Sequence, residues 1–141
     1  MPRTASLIVH KSPYSPSQTI EHFKYLLQEK GITVFATIDH AKAAQKVSLQ
    51  LSDIQVLLFG DPKVGTFLMQ ENPEIGIELP LKILVWKDEN QITQIGYKDP
   101  TLLGEIYGIK KNAEILKKME QGLAQLVMKV IKGENNEKTK S

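Results

Sequence analysis

A chain of 141 residues, 41% hydrophobic and 24% charged, has the size and balance of one globular domain able to bury a core without covalent staples. It has no cysteine, which excludes disulfide frameworks, thiolate catalysis, cysteine-ligated zinc and iron–sulfur clusters, and fits a reducing compartment. The net charge of +2 is uneven: residues 110–141 carry eight lysines against four glutamates, and Arg3 is the one arginine, so the basic end reads as a solvated helix face and not a nucleic-acid surface.

Near the start, Leu7-Ile8-Val9 is too short an apolar run for a signal peptide, and nothing in the chain approaches a membrane span. The expectation is a soluble, cytoplasmic domain over residues 1–133 with a polar, disordered tail at 134–141, and without a membrane partner. Ser6 to Lys11 reads as a first strand. Ser15-Pro16-Ser17-Gln18 then carries a capping serine, a proline at the first helical position and a glutamine completing a capping box. Ile20, Phe23, Leu26 and Leu27 recur on one face of that helix, and Gly31 ends it. His22 falls off this stripe and is expected at the surface.

Ile32 to Ile38 is a second strand, with Ile32, Val34, Ala36 and Ile38 on one face. Asp39 caps a short helix through Ala41, Ala44 and Val47. Ile54 to Phe59 is almost wholly apolar, the pattern of a central strand or one covered on both faces. From Gly60 to Pro80 the periodicity breaks, a length of loop that is often functional, with Thr66 placed to cap a short helix from Phe67 to Glu71. Leu81 to Lys87 and Gln91 to Tyr97 form a hairpin around Asp88-Glu89-Asn90. Asp99-Pro100 opens a helix that Gly108 stops, and Leu116, Met119, Leu123, Leu126, Val127, Val130 and Ile131 mark the apolar stripe of a last one. Strands clustered in the middle of the chain favour an α+β fold with a mainly antiparallel five-stranded sheet and the long helices on one face.

Phe59-Gly60-Asp61-Pro62-Lys63-Val64-Gly65-Thr66, with Leu68-Met69 and Leu79-Pro80-Leu81-Lys82, resembles a family catalogued as domain of unknown function 302. Asp39-His40-Ala41, Val85-Trp86 and Tyr97 with Asp99-Pro100 add to the match, which runs from about Pro13 to Gly108. The family pattern more often has asparagine where this chain has Asp61, and proline where it has Phe67. The resemblance implies a curved sheet of the TATA-binding-protein-like kind, in the order strand–helix–four strands–helix. It implies no activity, and a shared fold does not carry one.

Gly60 to Thr66 has the make-up of an anion cradle: turn-forming Pro62 and Gly65, a cationic Lys63, and backbone N–H groups opening a helix after Thr66. It is not a nucleotide-hydrolase phosphate loop, because Thr66 stands where that motif needs lysine. A plain structural turn accounts for the same residues. His40 beside Asp39 at a strand end is a candidate general acid/base, although Asp39 as a cap is already explained. Lys82 inside an apolar run is a candidate electrostatic group, or an outward residue in simple alternation. Tyr97 offers a pocket hydroxyl or a core ring.

His10, His22 and His40 have no metal-ligand spacing, and no cofactor is named by any motif. The leading expectation is a pocket formed by the 60–80 loop that takes a small anionic or polar metabolite through Asp61, Lys63, Gly65, Thr66 and Tyr97. The alternatives are an enzyme using His40 and Lys82, and a structural or interaction module that pairs as a homodimer.

Overall fold

A computed structural model describes residues 7–133, in the order β1 (Leu7–Ser12), α1 (Pro16–Glu29), β2 (Thr33–Asp39), α2 (His40–Lys46), β3 (Ile54–Gly60), α3 (Pro62–Glu71), a 3-10 helix (Pro73–Glu78), β4 (Leu81–Lys87), β5 (Thr93–Lys98), α4 (Pro100–Ile106) and α5 (Ala113–Lys132). The expected polar tail at 134–141 lies outside the described residues.

A capping side chain followed by proline starts four of these helices. Ser15 and Gln18 exchange two hydrogen bonds of 3.1 Å across the first turn of α1, the full capping box. Asp61, Asn72 and Asp99 each accept a backbone N–H of the following turn, from Lys63, Glu74 and Thr101 respectively. Asp39 does the same for α2, from Lys42 N–H at 2.9 Å. Gly31 stands at φ +73 just past α1, the left-handed region where a side chain would be strained.

The strands form one open antiparallel sheet in the order β1-β5-β4-β3-β2. Helices α1 and α5 cover one face. Phe23 and Leu27 of α1 and Leu123, Val127 and Val130 of α5 bury against Leu57, Phe59, Ile83, Val85, Ile95 and Tyr97 of the strands. A second apolar cluster, Leu68, Ile75, Leu103, Ile109 and Leu116, fills the space between α3, the 3-10 helix, α4 and the first half of α5. The last helix therefore belongs to both. The two halves of its apolar stripe serve different clusters.

Several expectations are corrected. A bulge between Val34 and Ala36 pairs Val34 with Phe59 but Ala36 with Leu58, so Val34 faces the helices while Ala36 and Ile38 face away. Of the two readings of β3, the structure has the one inside the sheet, between β4 and β2, and only its alternate residues are buried because the long helices cover one face. The 60–80 stretch is not a loop: α3 begins at Pro62 under Asp61, four residues before the expected cap at Thr66. His22 is buried, its ring edge-on to Tyr14 with centroids 4.6 Å apart.

The sheet face turned away from α1 and α5 carries an uninterrupted cross-strand row, Val9, Gly96, Leu84, Val56 and Ile38. Val9 and Ile38 are 39% and 43% exposed.

Candidate functional site

Between the two apolar clusters the chain leaves a pocket of about 630 Å³. Five regions wall it: the end of α1, the β2–β3 edge, α3, the 3-10 helix running into β4, and α5. Leu27, Phe59, Leu79, Ile115, Met119 and Leu126 are among its apolar lining residues. Such a volume and lining suit a small organic molecule. The pocket exists because α5 is held by both clusters at once, which keeps α3 from closing onto the sheet.

Two carboxylates tie these walls to their neighbours. Glu71, at the end of α3, accepts the backbone N–H groups of Lys110, Lys111 and Asn112 at 2.6, 3.0 and 2.9 Å, and the Asn112 side-chain amide at 2.9 Å. These bonds, Lys110's first, hold its pKa down to about 2. Glu78 accepts the Tyr107 hydroxyl at 2.8 Å and pairs with Lys98 at 3.5 Å. The Tyr107 bond and then Lys98 lower its pKa, and the same bond raises that of Tyr107. The first clamp ties α3 to the start of α5, and the second ties the 3-10 helix to α4 and β5.

Charge enters the lining at three places, Lys30, Asp61 and Lys118. Asp61 spends its carboxylate on the α3 N-terminus. Among the described residues the amines of Lys30 and Lys118 have no hydrogen-bond or ion-pair partner, and both side chains are exposed at the mouth. The Thr66 hydroxyl donates to Pro62 O at 2.6 Å, so it could only accept from an occupant.

Two glycines in helix interiors also face the cavity. A Cβ on Gly122 would meet nothing within 4 Å, and one on Gly65 would make only ordinary contact, 3.5 Å from Leu79 and 3.8 Å from Met69. Neither has a positive φ. Packing and backbone conformation thus leave both glycines unexplained, and the room they keep open is inside the pocket.

Of the residues singled out by sequence, Asp61, Gly65 and Thr66 line this pocket together. Lys63 is exposed on α3, and it is not part of the lining. Tyr97 sits in the core on the helix-covered face of the sheet, stacked 6.5 Å from His10, and burial pushes its phenol up. Lys82 is exposed, its amine 3.4 Å from Glu78 O. His40 opens α2 at the far end of β2, four residues along and two strands across from Lys82, a Cα separation on the order of 15 Å. Leu27, Lys30, Ile115, Lys118, Met119 and Gly122 were missed as site residues. Only Gly122 left a local signal, a glycine inside a strong helical stripe.

Residues 8–127 match the family model described as Domain of unknown function DUF302. The chain belongs to this family. A DUF302 protein from Bacillus stearothermophilus, an uncharacterized conserved protein of known crystal structure, superposes with a TM-score of 0.80 at 23% identity, over 90% of this chain and 99% of that one. That likeness is one of fold. Curated relatives are the fluoride-specific ion channels FluC 1 of Brucella suis biovar 1 (strain 1330) and FluC 1 of Brucella abortus biovar 1 (strain 9-941). Each is 29% identical over 111 residues, 79% of this chain but 44% and 41% of their own lengths. The DUF302 chain thus spans less than half of the curated relatives it matches. Among its described residues no helix is long and apolar enough to cross a membrane.

Proposed function

We propose that this DUF302 chain is a small-molecule-binding domain whose site is the pocket between its two apolar clusters, with Asp61, Gly65 and Thr66 among the contacts. The observation that carries the reading is the cavity of about 630 Å³, walled by five regions and widened by a helix-interior glycine with open space before it. Its lining changes the expected ligand: the body must be apolar, and polarity is confined to the rim. In the Brucella channels the matched stretch is under half the chain, which suits a module that holds a small molecule beside another activity. A cytoplasmic setting is part of the proposal and rests on the cysteine-free sequence. An enzyme built on His40 and Lys82 is less well supported, since strand geometry keeps the two apart and neither lines the pocket.

The test is titration with anilinonaphthalene sulfonate, an apolar fluorescent anion. Saturable one-to-one binding is expected for the native chain, with at least a tenfold loss in Gly122→Leu, whose added side chain fills the cavity. Equal binding by a Gly122→Leu chain of unchanged Tm would reject the pocket as the site.

A second reading, for the open sheet face, is homodimer formation. It is supported by the five-strand row centred on half-buried Leu84, with Val9 and Ile38 exposed at its two ends, which a second copy would cover. Sedimentation velocity should give a dimer at tens of micromolar and a monomer for Val56→Lys. A native monomer at those concentrations removes this reading.

A further inference from the structure

We infer that the occupant is a single-chain amphiphile with an anionic head, such as an n-alkyl carboxylate, its chain in the seam and its head at Lys30 and Lys118. The inference rests on the pocket reading above and adds the ligand's chemistry. Three observations converge on it: the shape of the cavity, the placement of its glycines and the balance of charge at its mouth.

The lining follows α5 from Ile115 to Leu126, eleven residues or about 16 Å of helix at 1.5 Å each. An apolar seam of that length accommodates an extended chain. Gly65 and Gly122 stand in two of its walls, α3 and α5, and remove side chains where an occupant would pass. The interior has no charged group to meet a polar body.

At the mouth the sign is cationic. Asp61, the one acidic lining residue, is committed to Lys63 N–H, whereas the amines of Lys30 and Lys118 have no partner among the described residues. Both are exposed, so they keep their hydration until a ligand's head arrives. An anion near either ammonium gains a favourable partner without the desolvation cost of a buried ion pair. A neutral head gains far less.

The experiment is a dye-displacement series with n-alkyl carboxylates from eight to sixteen carbons and the matching primary alcohols, kept below their micelle concentrations. Affinity should rise about fourfold per methylene until the chain fills the seam. Carboxylates should bind at least tenfold more tightly than alcohols of equal length. In the Lys30→Gln/Lys118→Gln double variant that advantage should vanish while the alcohol affinities stay unchanged. Alcohols that match carboxylates on the native chain would overturn the anionic head and leave the pocket standing. Failure of both series would reject the pocket itself. Binding to anionic phospholipid vesicles without binding of monomeric carboxylate would overturn the inference in favour of a membrane surface.

Discussion

Glu71 is half-buried and collects more hydrogen bonds than any other carboxylate of the described chain, and its charged form is what collects them. Its pKa is held near 2, below the ordinary 4.5, so the sign of the linkage follows: the clamp's contribution is fully present above pH 4.5 and disappears as pH falls through 2. Solvent screening limits its size. Glu78 and Asp88 are also shifted down and add to the same acid slope. The informative quantity is therefore the difference between two chains. Glu71→Gln is expected to lower Tm by several degrees at pH 7, with the gap to the native chain closing toward pH 2. Thermal melts followed by circular dichroism across that range check it, and a gap independent of pH would contradict the clamp. At this scale Asp61 and Thr66 were legible as polar residues in a turn, but their partners were not. The carboxylate that was expected to help cradle a ligand is held by the helix it starts.

Helices give a second set of expectations. Removing the Asp61 cap by Asp61→Ala should cost about 1 kcal/mol in chemical denaturation, as caps of this type do. Gly122→Ala should stabilise by about 0.5–1 kcal/mol, because the glycine weakens a 20-residue helix and its Cβ would enter open space. A loss of stability there would mean that the cavity is smaller than described. The caps also show why some elements were read correctly and one was not. Ser15-Pro16 and Asp99-Pro100 were recognised as cap followed by proline, and both helices start where expected. Asp61-Pro62 is the same device. It was passed over because Pro62 and Gly65 suggested a turn, and both prove to lie inside α3. In β2 the alternation of Val34, Ala36 and Ile38 was real, but a bulge reversed one of the three, a backbone event that side-chain patterns do not record.

For the whole molecule, two surfaces compete for function, and the single tryptophan separates them. Trp86 lies on the open sheet face, its ring over Gly96, where a Cβ would come within 3.0 Å of it. It does not line the pocket. A ligand entering the seam should leave Trp86 emission unchanged, while pairing through the open face should shift it to the blue with rising protein concentration. A blue shift on adding alkyl carboxylate to dilute protein would move the ligand site to the sheet.

The sequence by itself determined the α+β class, most strands and helices, and the caps at Ser15, Asp39 and Asp99, because caps, glycine stops and apolar periods are local and act through near neighbours along the chain. It also marked α5 as the strongest apolar stripe. What only the tertiary structure decided is where that stripe's neighbours stop touching. Leu27, Phe59, Leu79, Ile115 and Met119 all belong to the apolar clusters or pack against them. The gap between them lies where two clusters diverge along one shared helix, and clamps at Glu71 and Glu78, 39 and 29 residues from their partners in sequence, brace the second cluster. A period records which residues avoid water, and it carries no measure of how far apart two avoiding surfaces are held.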